Sequence, residues 1–203
     1  MTDSSNQTPP SKPERSPENP WIEGLKTVAL SAVLAVGIRS FVAEARYIPS
    51  GSMEPTLEIN DRLLIEKISY NFRKPERGDI VVFEPTDTLK EQNFRDAFIK
   101  RVIGLPGETI QVKDGRVFVN GEAIEEKYIE QEPAYDYGPA KVPEDQYLVL
   151  GDNRNNSFDS HSWGFVPRKN IIGRAAVRFW PVGRMGSLDE APLYQNGEEE
   201  LGN

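Results

Sequence analysis

The chain has 203 residues, with 32 acidic and 24 basic side chains and a net charge of −8. This length predicts one main domain with appendages. The acidic balance argues against nucleic acid as a partner, because phosphates select basic surfaces. There is no cysteine and only one histidine, so disulfides, thiol catalysis, thiolate metal sites and multi-histidine metal centres are excluded.

The N-terminal part divides into a polar arm and an apolar segment. Residues 1–20 are rich in proline and polar side chains and predict a disordered arm, since they bury too little apolar surface to offset ordering. Residues 21–45 hold the long apolar run, which Lys26 and Arg39 interrupt. Both charges can extend toward lipid head groups and lengthen the span, so we interpret this segment as a transmembrane anchor. A cleaved signal peptide ending at Ala43-Glu-Ala45 and a buried or surface-lying helix are the alternatives.

After Tyr47 the sequence changes to short apolar or alternating runs separated by turn residues. The strongest signal is the pair Asp114-Gly115 between two alternating runs, which predicts a type I′ hairpin. We therefore expect a mainly β, antiparallel sandwich or barrel-like domain over residues 46–185 and an acidic disordered tail over 186–203. The predicted strands cover 63–65, 80–83, 98–103, 109–113, 116–119, 147–150 and 174–180.

The first of three clusters with chemical potential is 47–57, in which Ser50 and Ser52 flank a glycine. Pro49 and Pro55 restrict the backbone there. Such stiffness suits an activated nucleophile and its oxyanion donors. Taken alone, the cluster is also consistent with an ordinary serine-rich turn.

The second cluster is a predicted strand in which Phe98, Lys100 and Val102 share one face. A lysine among apolar neighbours loses hydration, so its pKa falls. A neutral amine can then accept the proton of a serine hydroxyl. The alternative interpretation is an edge-strand lysine that blocks aggregation.

The third cluster, residues 151–164, follows an apolar strand and is dense in hydrogen-bonding side chains. It predicts a supporting polar network. A Ca²⁺ site and a solvated turn are alternatives, although EF-hand spacing is missing. His161 is the one candidate for the base of a Ser-His-Asp triad, a role that Lys100 already fits. We expect no metal and no cofactor.

Together and in this order, the three clusters closely resemble the conserved boxes of bacterial type I signal peptidases, membrane-anchored Ser/Lys endopeptidases that remove signal peptides from exported preproteins. The resemblance runs from the apolar segment to about Pro181 and includes 61–65 and 77–81. It implies an antiparallel β-sheet catalytic domain, of the kind shared by signal peptidases and repressor proteases, with one N-terminal transmembrane helix.

The resemblance also implies a role for individual residues. Ser52 matches the nucleophile, and Ser50 matches the hydroxyl that joins the Ser52 N–H in the oxyanion hole. Lys100 matches the general base. Ser157 matches the residue that hydrogen-bonds to and orients that lysine, and Asp159 matches a supporting acid in the same loop.

Substrate and location follow from the same resemblance. The substrates are signal peptides of preproteins with small residues at −1 and −3, and we expect Met53, Phe98 and Ile99 to contact them. Membrane lipid and the secretion machinery are the expected partners. The implied location is a single-pass membrane protein with its catalytic domain on the outer, periplasmic or thylakoid-lumen side.

Two positions depart from the family loop, because Asn155 stands where Asp is usual and His161 where Arg is common. A histidine side chain can change its charge in the physiological pH range, so we expect loop stability or activity to be more sensitive to pH with this residue than with arginine. An unchanged pH–rate profile in His161→Arg would contradict this.

Two other functions stay open. One is a self-cleaving repressor-type Ser/Lys protease, although residues 1–45 show no helix-turn-helix. The other is a non-enzymatic anchored adaptor.

Overall fold

The computed structural model describes residues 19–37, 42–188 and 193–194. The chain divides into two compact units, Met1–Ile38 and Arg39–Asn203, which are described separately. Most of the predicted N-terminal arm and of the predicted acidic tail lies outside the described residues.

Helix α1, Pro20–Gly37, is the described element of the first unit. Asn19 Oδ1 accepts a hydrogen bond from the Trp21 N–H at 3.1 Å, and Pro20 suits the first helical position. The helix has 18 residues, a mean hydropathy of 1.2 and no buried side chain, so it is long and apolar enough to cross a membrane. The expected anchor boundary at residue 45 lies inside a strand, because Ala43–Tyr47 pairs with the sheet described next.

The second unit is built from two antiparallel sheets and two short helices, α2 (Asp87–Glu91) and α3 (Ser160–Trp163). Its strands, in chain order, are β1 (Ala43–Tyr47), β2 (Arg62–Glu66), β3 (Ile80–Phe83), β4 (Phe98–Gly104), β5 (Thr109–Lys113), β6 (Arg116–Val119), β7 (Glu122–Glu125), β8 (Tyr137–Lys141), β9 (Gln146–Leu150), β10 (Val166–Pro167), β11 (Ile171–Trp180), β12 (Gly186–Ser187) and β13 (Leu193–Tyr194). The larger sheet has the order β1-β2-β11-β3-β4-β9-β10, with β12 on β11, and the smaller has β13-β7-β6-β5-β8.

The predicted strands and the predicted hairpin are confirmed. Asp114 and Gly115 both have positive φ, 49° and 74°, as a type I′ turn between β5 and β6 requires. Asn120 and Gly121 repeat the arrangement between β6 and β7. The strands that were not predicted are β1, β7, β8, β10, β12 and β13. Strand β8 contains a glycine and a proline, which are typical of an edge strand that pairs on one side only.

Among the described residues, three buried apolar clusters form the core. One joins the two sheets through Ile103 and Leu148 of the larger and Ile110 and Val117 of the smaller. A second surrounds Phe83 and includes Val102 and Trp163. The third lies beneath the 47–57 segment and is formed by Ile48, Met53, Leu57, Leu63, Ile65, Ile80, Val82, Ala175 and Leu188.

One fully buried ion pair connects the three segments that carry the predicted site. Arg101 of β4 donates two hydrogen bonds to Asp152, of 2.9 and 2.7 Å, and both side chains are shielded from solvent. Asp152 also accepts a 2.6 Å hydrogen bond from the Thr56 hydroxyl. The Arg101 guanidinium lies 3.8 Å from the ring centroid of Tyr128 and donates to the Gly78 carbonyl. These added contacts compensate the cost of burying the pair.

Removing the carboxylate charge of Asp152 should destabilise the protein strongly. In Asp152→Asn, Arg101 would keep its buried charge and lose the carboxylate that faces it, so we expect a loss of about 3–5 kcal/mol in the free energy of unfolding. Urea denaturation followed by far-UV circular dichroism measures it.

The matched control is Asp87→Asn, which removes the exposed carboxylate of the Lys90–Asp87 pair. It should cost less than about 1 kcal/mol. Equal losses of unfolding free energy in the two variants would show that burial of the Arg101–Asp152 pair does not determine its contribution to stability.

Candidate active site

A cleft of about 850 Å³ collects residues from all three clusters. The 47–57 segment, the start of β4 and the 151–164 loop each contribute to its lining, although they lie far apart in sequence. Its lining is formed by Pro49, Ser50, Gly51, Ser52, Asn93, Phe94, Arg95, Asp96, Ala97, Phe98, Ile99, Lys100, Asn155, Asn156, Ser157 and Phe158.

Ser52 lies in a single 3₁₀ turn, Gly51–Met53. The 151–164 loop fixes this turn from outside, because Asn153 donates to the Gly51 carbonyl at 3.1 Å and to the Ser52 carbonyl at 3.2 Å. The wholly buried Met53 fixes it from below. The turn therefore presents the Ser52 hydroxyl from a rigid backbone, as the sequence predicts.

Lys100 lies on β4 with only 4% of its surface exposed. Its Nζ is 2.6 Å from Ser52 Oγ and donates to the Ile99 carbonyl at 3.0 Å. Burial removes the hydration of the ammonium group and lowers the Lys100 pKa to about 8, although the charges of Asp159 and Asp152 act in the opposite direction. A large neutral fraction of the amine at mildly alkaline pH is what a general base needs.

Ser50 directly precedes the Ser52 turn in extended backbone and lines the cleft. Its hydroxyl does not cap the 3₁₀ turn. The Ser50 side chain and the Ser52 hydroxyl are thus on one short segment at the cleft, as the predicted oxyanion role requires.

Ser157 is in the cleft lining, but the predicted hydrogen bond to Lys100 is not formed. The Ser157 hydroxyl is buried and has no hydrogen-bond partner among the described residues. It lies against Gly151, where an added Cβ would be 2.2 Å from Ser157 Oγ. The Lys100 amine instead contacts Ser52 and a backbone carbonyl.

Asp159 is fully buried and organises its loop. Its carboxylate accepts from the Gly151 N–H at 2.9 Å and from the His161 N–H at 3.3 Å, where it caps α3. His161 Nδ1 lies 2.7 Å from Asp159 Oδ1, and its other ring nitrogen lies 3.1 Å from the Ser162 hydroxyl. His161 therefore pairs with Asp159 rather than with Ser52.

The predicted substrate contacts are divided between the cleft and the core. Phe98 and Ile99 line the cleft, whereas Met53 packs into the core beneath the serine turn and is not among the lining residues. The side chain of Met53 points away because the 3₁₀ turn sends consecutive side chains in different directions. Among the described residues, no group of three acidic or histidine side chains could hold a metal ion.

Several site residues were not singled out from the sequence. Phe94 and Phe158 are partly exposed at the cleft with ring centroids 5.6 Å apart, and nothing in the local sequence links them. Arg154 is buried and binds Glu126 through two hydrogen bonds of 2.6 Å. The position of Arg154 within the third cluster is a sequence signal that could have identified it. Glu126 lies in the connection after β7, where no motif marks it.

Replacing Lys100 by an apolar side chain should stabilise the fold at neutral pH. The pKa of Lys100 is about 8 in the folded protein, below the ordinary 10.5. Between these two pH values the unfolded chain therefore binds more protons than the folded protein. Below pH about 8 the folded protein bears the full free-energy cost of burying the charged amine. We expect Lys100→Met to raise the free energy of unfolding by up to about 3 kcal/mol at pH 7.

The gain should shrink as the pH rises from about 8 toward 10.5, where the unfolded lysine also becomes neutral. Urea unfolding at several pH values measures it, with Lys141→Met, at an exposed lysine of β8, as the control. A Lys100→Met variant that is less stable at pH 7 would contradict the desolvation of this amine.

Comparison with known proteins gives a consistent result. Residues 21–180 match the family described as signal peptidase, peptidase S26. Signal peptidase I of Leptolyngbya laminosa is 65% identical over 193 residues, which cover 93% of this chain and 95% of that protein. Signal peptidase I T of Bacillus subtilis is 33% identical and covers 91% and 98% of the two chains.

Two further matches come from a chloroplast and from a solved structure. Thylakoidal processing peptidase 1, chloroplastic, of Arabidopsis thaliana is 42% identical, over 80% of this chain and 49% of that protein. The crystal structure of a signal peptidase I from Enterococcus faecalis aligns with a TM-score of 0.43 and 32% identity, over 50% of this chain and 97% of that one. By its sequence match over residues 21–180 and its similarity to full-length relatives, the chain belongs to the signal peptidase family, peptidase S26.

Proposed function

We propose that this chain is a membrane-anchored serine endopeptidase that removes N-terminal signal peptides from exported preproteins by a Ser52–Lys100 dyad. The observation that carries the proposal is the 2.6 Å contact between a buried amine of lowered pKa and a serine hydroxyl, at the wall of an open cleft. Membership of the signal peptidase family gives the reaction class, hydrolysis of a peptide bond.

In the first half of the reaction, neutral Lys100 takes the proton of the Ser52 hydroxyl. Ser52 Oγ forms a bond to the carbonyl carbon of the last signal-peptide residue, and the carbonyl oxygen becomes an oxyanion. The Ser50 hydroxyl and the Ser52 N–H stabilise that charge, each by about 3–4 kcal/mol as for single donors in other hydrolases.

In the second half, the protonated Lys100 gives its proton to the leaving amine and the peptide C–N bond breaks. The mature protein leaves, and the signal peptide stays attached to Ser52 as an ester. Water then attacks the ester while Lys100 again accepts a proton. Ser52 regains its proton, and the signal peptide is released with a free carboxylate.

The lining of the cleft suits an extended peptide with small side chains. Phe98 and Ile99 present apolar surface directly beside Lys100. We therefore assign the expected preference for small residues at −1 and −3 to this part of the cleft.

The family relationship and helix α1 support a membrane-anchored protein. We place the catalytic domain on the outer side of the membrane, periplasmic or thylakoid-lumenal, because exported proteins emerge there and one relative is a thylakoidal processing peptidase. Membrane lipid is the expected contact of α1, whose apolar side chains are exposed, and the secretion machinery is a further proposed partner. Family membership sets aside the repressor alternative, and the next experiment addresses the adaptor.

The full chain in detergent should cleave a purified preprotein that carries an Ala-x-Ala site. Ser52→Ala and Lys100→Ala should each lower the rate at least about 10³-fold, because each removes a member of one catalytic unit. Gel analysis and mass spectrometry of the products measure the rate and the position of the cut.

The control is Lys141→Ala, at an exposed lysine of β8, which should cleave like the wild type. Equal activity in all variants would indicate a contaminating protease. Folded wild type that never cleaves would favour the adaptor function.

The pH dependence of cleavage tests the base directly. A protonated amine cannot accept the Ser52 proton, so kcat/KM should rise as the pH increases through about 8, the Lys100 pKa, and then level off. Initial rates at subsaturating preprotein over pH about 6 to 10 measure this profile. A rate that shows no levelling by pH about 10, as a lysine with the ordinary pKa of 10.5 would give, would contradict it.

A further inference from the structure

The two positions that depart from the family loop contact the same stretch of chain. Asn155 Nδ2 donates to the Glu132 carbonyl at 3.0 Å, and Asn155 Oδ1 accepts from the Ala134 N–H at 2.7 Å. The ring of His161 stacks on Tyr135, with centroids 4.3 Å apart and planes 19° from parallel. Residues 132–135 belong to the connection between β7 and β8, far from both dyad residues in sequence.

The chemistry at position 155 requires an amide. An amide donates from its nitrogen and accepts at its oxygen, whereas an ionised carboxylate only accepts. An Asp side chain at this position would still accept the hydrogen bond from the Ala134 N–H. Its second carboxylate oxygen would face the Glu132 carbonyl oxygen, and neither of these two oxygens can donate a hydrogen bond. Asn155 is therefore the residue that allows both bonds to form.

The ring at position 161 is held in place for its contact with Tyr135. Asp159 fixes His161 Nδ1 through the 2.7 Å contact and caps the helix on which His161 lies. The Tyr135 hydroxyl is buried without a hydrogen-bond partner among the described residues. The phenol thus contributes through its ring, by stacking, rather than through a hydrogen bond.

A third contact lies deeper on the same connection. Glu126 receives two 2.6 Å hydrogen bonds from Arg154, and both side chains are buried. Arg154 also donates to the Gly151 carbonyl at 3.1 Å. The connection, residues 126–135 (the support segment), is therefore bound to the 151–164 loop at Arg154, at Asn155 and at His161.

The part of the loop between these contacts forms one wall of the cleft, residues 155–158. From this arrangement we propose that the support segment positions the 155–158 wall for substrate binding, with Asn155 and Tyr135 as positioning residues. The proposal rests on the proposed peptidase function. Tyr135 is outside the cleft lining, so its effect on substrate must be transmitted through the loop.

The inner part of the loop is fixed independently of the outer contacts. Arg101 binds Asp152, and Asn153 binds the serine turn. Loss of the Tyr135 stack or of the Asn155 bonds should thus displace the wall but leave Ser52 and Lys100 in contact. The expected signature is a raised KM with little change in kcat and an unchanged pH–rate profile.

Tyr135→Leu and Tyr135→Phe separate stacking from other roles of this residue. Tyr135→Leu should raise KM for the preprotein about fivefold, the size expected for one lost aromatic contact, with kcat within about twofold of wild type. Tyr135→Phe keeps the ring and should restore the wild-type KM. A Phe variant that behaves like the Leu variant, or a loss confined to kcat, would overturn the proposal.

Asn155→Asp should also raise KM, and the double variant with Tyr135→Leu should raise it by less than the product of the two single effects, because both act through one segment. Gln131→Glu is the matched control, since it adds the same charge at an exposed position of the support segment. It should leave KM unchanged. Multiplicative effects in the double variant would show that the two residues act separately.

Hydrogen exchange gives a readout that does not depend on activity. In the peptide that spans 155–158, the Asn156 N–H donates to the Asn153 carbonyl at 3.0 Å. Its amide exchange, measured by mass spectrometry on the full chain in detergent, should become faster in Tyr135→Leu and keep the wild-type rate in Tyr135→Phe. Unchanged exchange in both would overturn the positioning role even if the enzyme is active. If the two variants show the expected exchange rates but the wild-type protein cuts no preprotein, the result would instead refute the proposed function.

Discussion

The burial of one lysine amine beside one serine hydroxyl is the constraint on which the rest of the structure depends. Loss of hydration lets a lysine give up its proton near neutral pH, and Lys100 is almost completely enclosed. Successive side chains of a strand point to opposite faces, so β4 presents Lys100 to the cleft and Arg101 to the other side. The Arg101–Asp152 pair therefore fixes, from behind, the strand that carries the amine.

The same pair also brings the other two segments to the strand. Asp152 accepts a hydrogen bond from Thr56, a residue that follows the serine turn. The next residue in the loop, Asn153, holds that turn by two hydrogen bonds. A fully buried ion pair gives little net stability compared with apolar packing, but it is costly to break and has a defined geometry. Here that geometry places three distant segments within contact of one cleft.

The sequence predicted elements whose signal is local. Alternating runs and Asp114-Gly115 determine β5 and β6 within a few residues, and the order of the three clusters indicated the family. Contacts that depend on packing were not predictable. Met53 is in the core and the Ser157 hydroxyl is turned toward Gly151, because motif position specifies a residue and not the direction of its side chain. Glu126 and Tyr135 have no motif, since their partners lie on another loop.

An NMR titration of the Lys100 amine tests most directly whether this lysine can act as the base. Lysine labelled with ¹³C at Cε in the full chain, in detergent, gives one signal per lysine, and Lys100→Arg identifies the signal of interest by its loss. We expect a titration midpoint at about 8 for Lys100. A midpoint at the ordinary lysine value of 10.5 would contradict it, because the amine would then be protonated throughout the range in which it must accept the Ser52 proton.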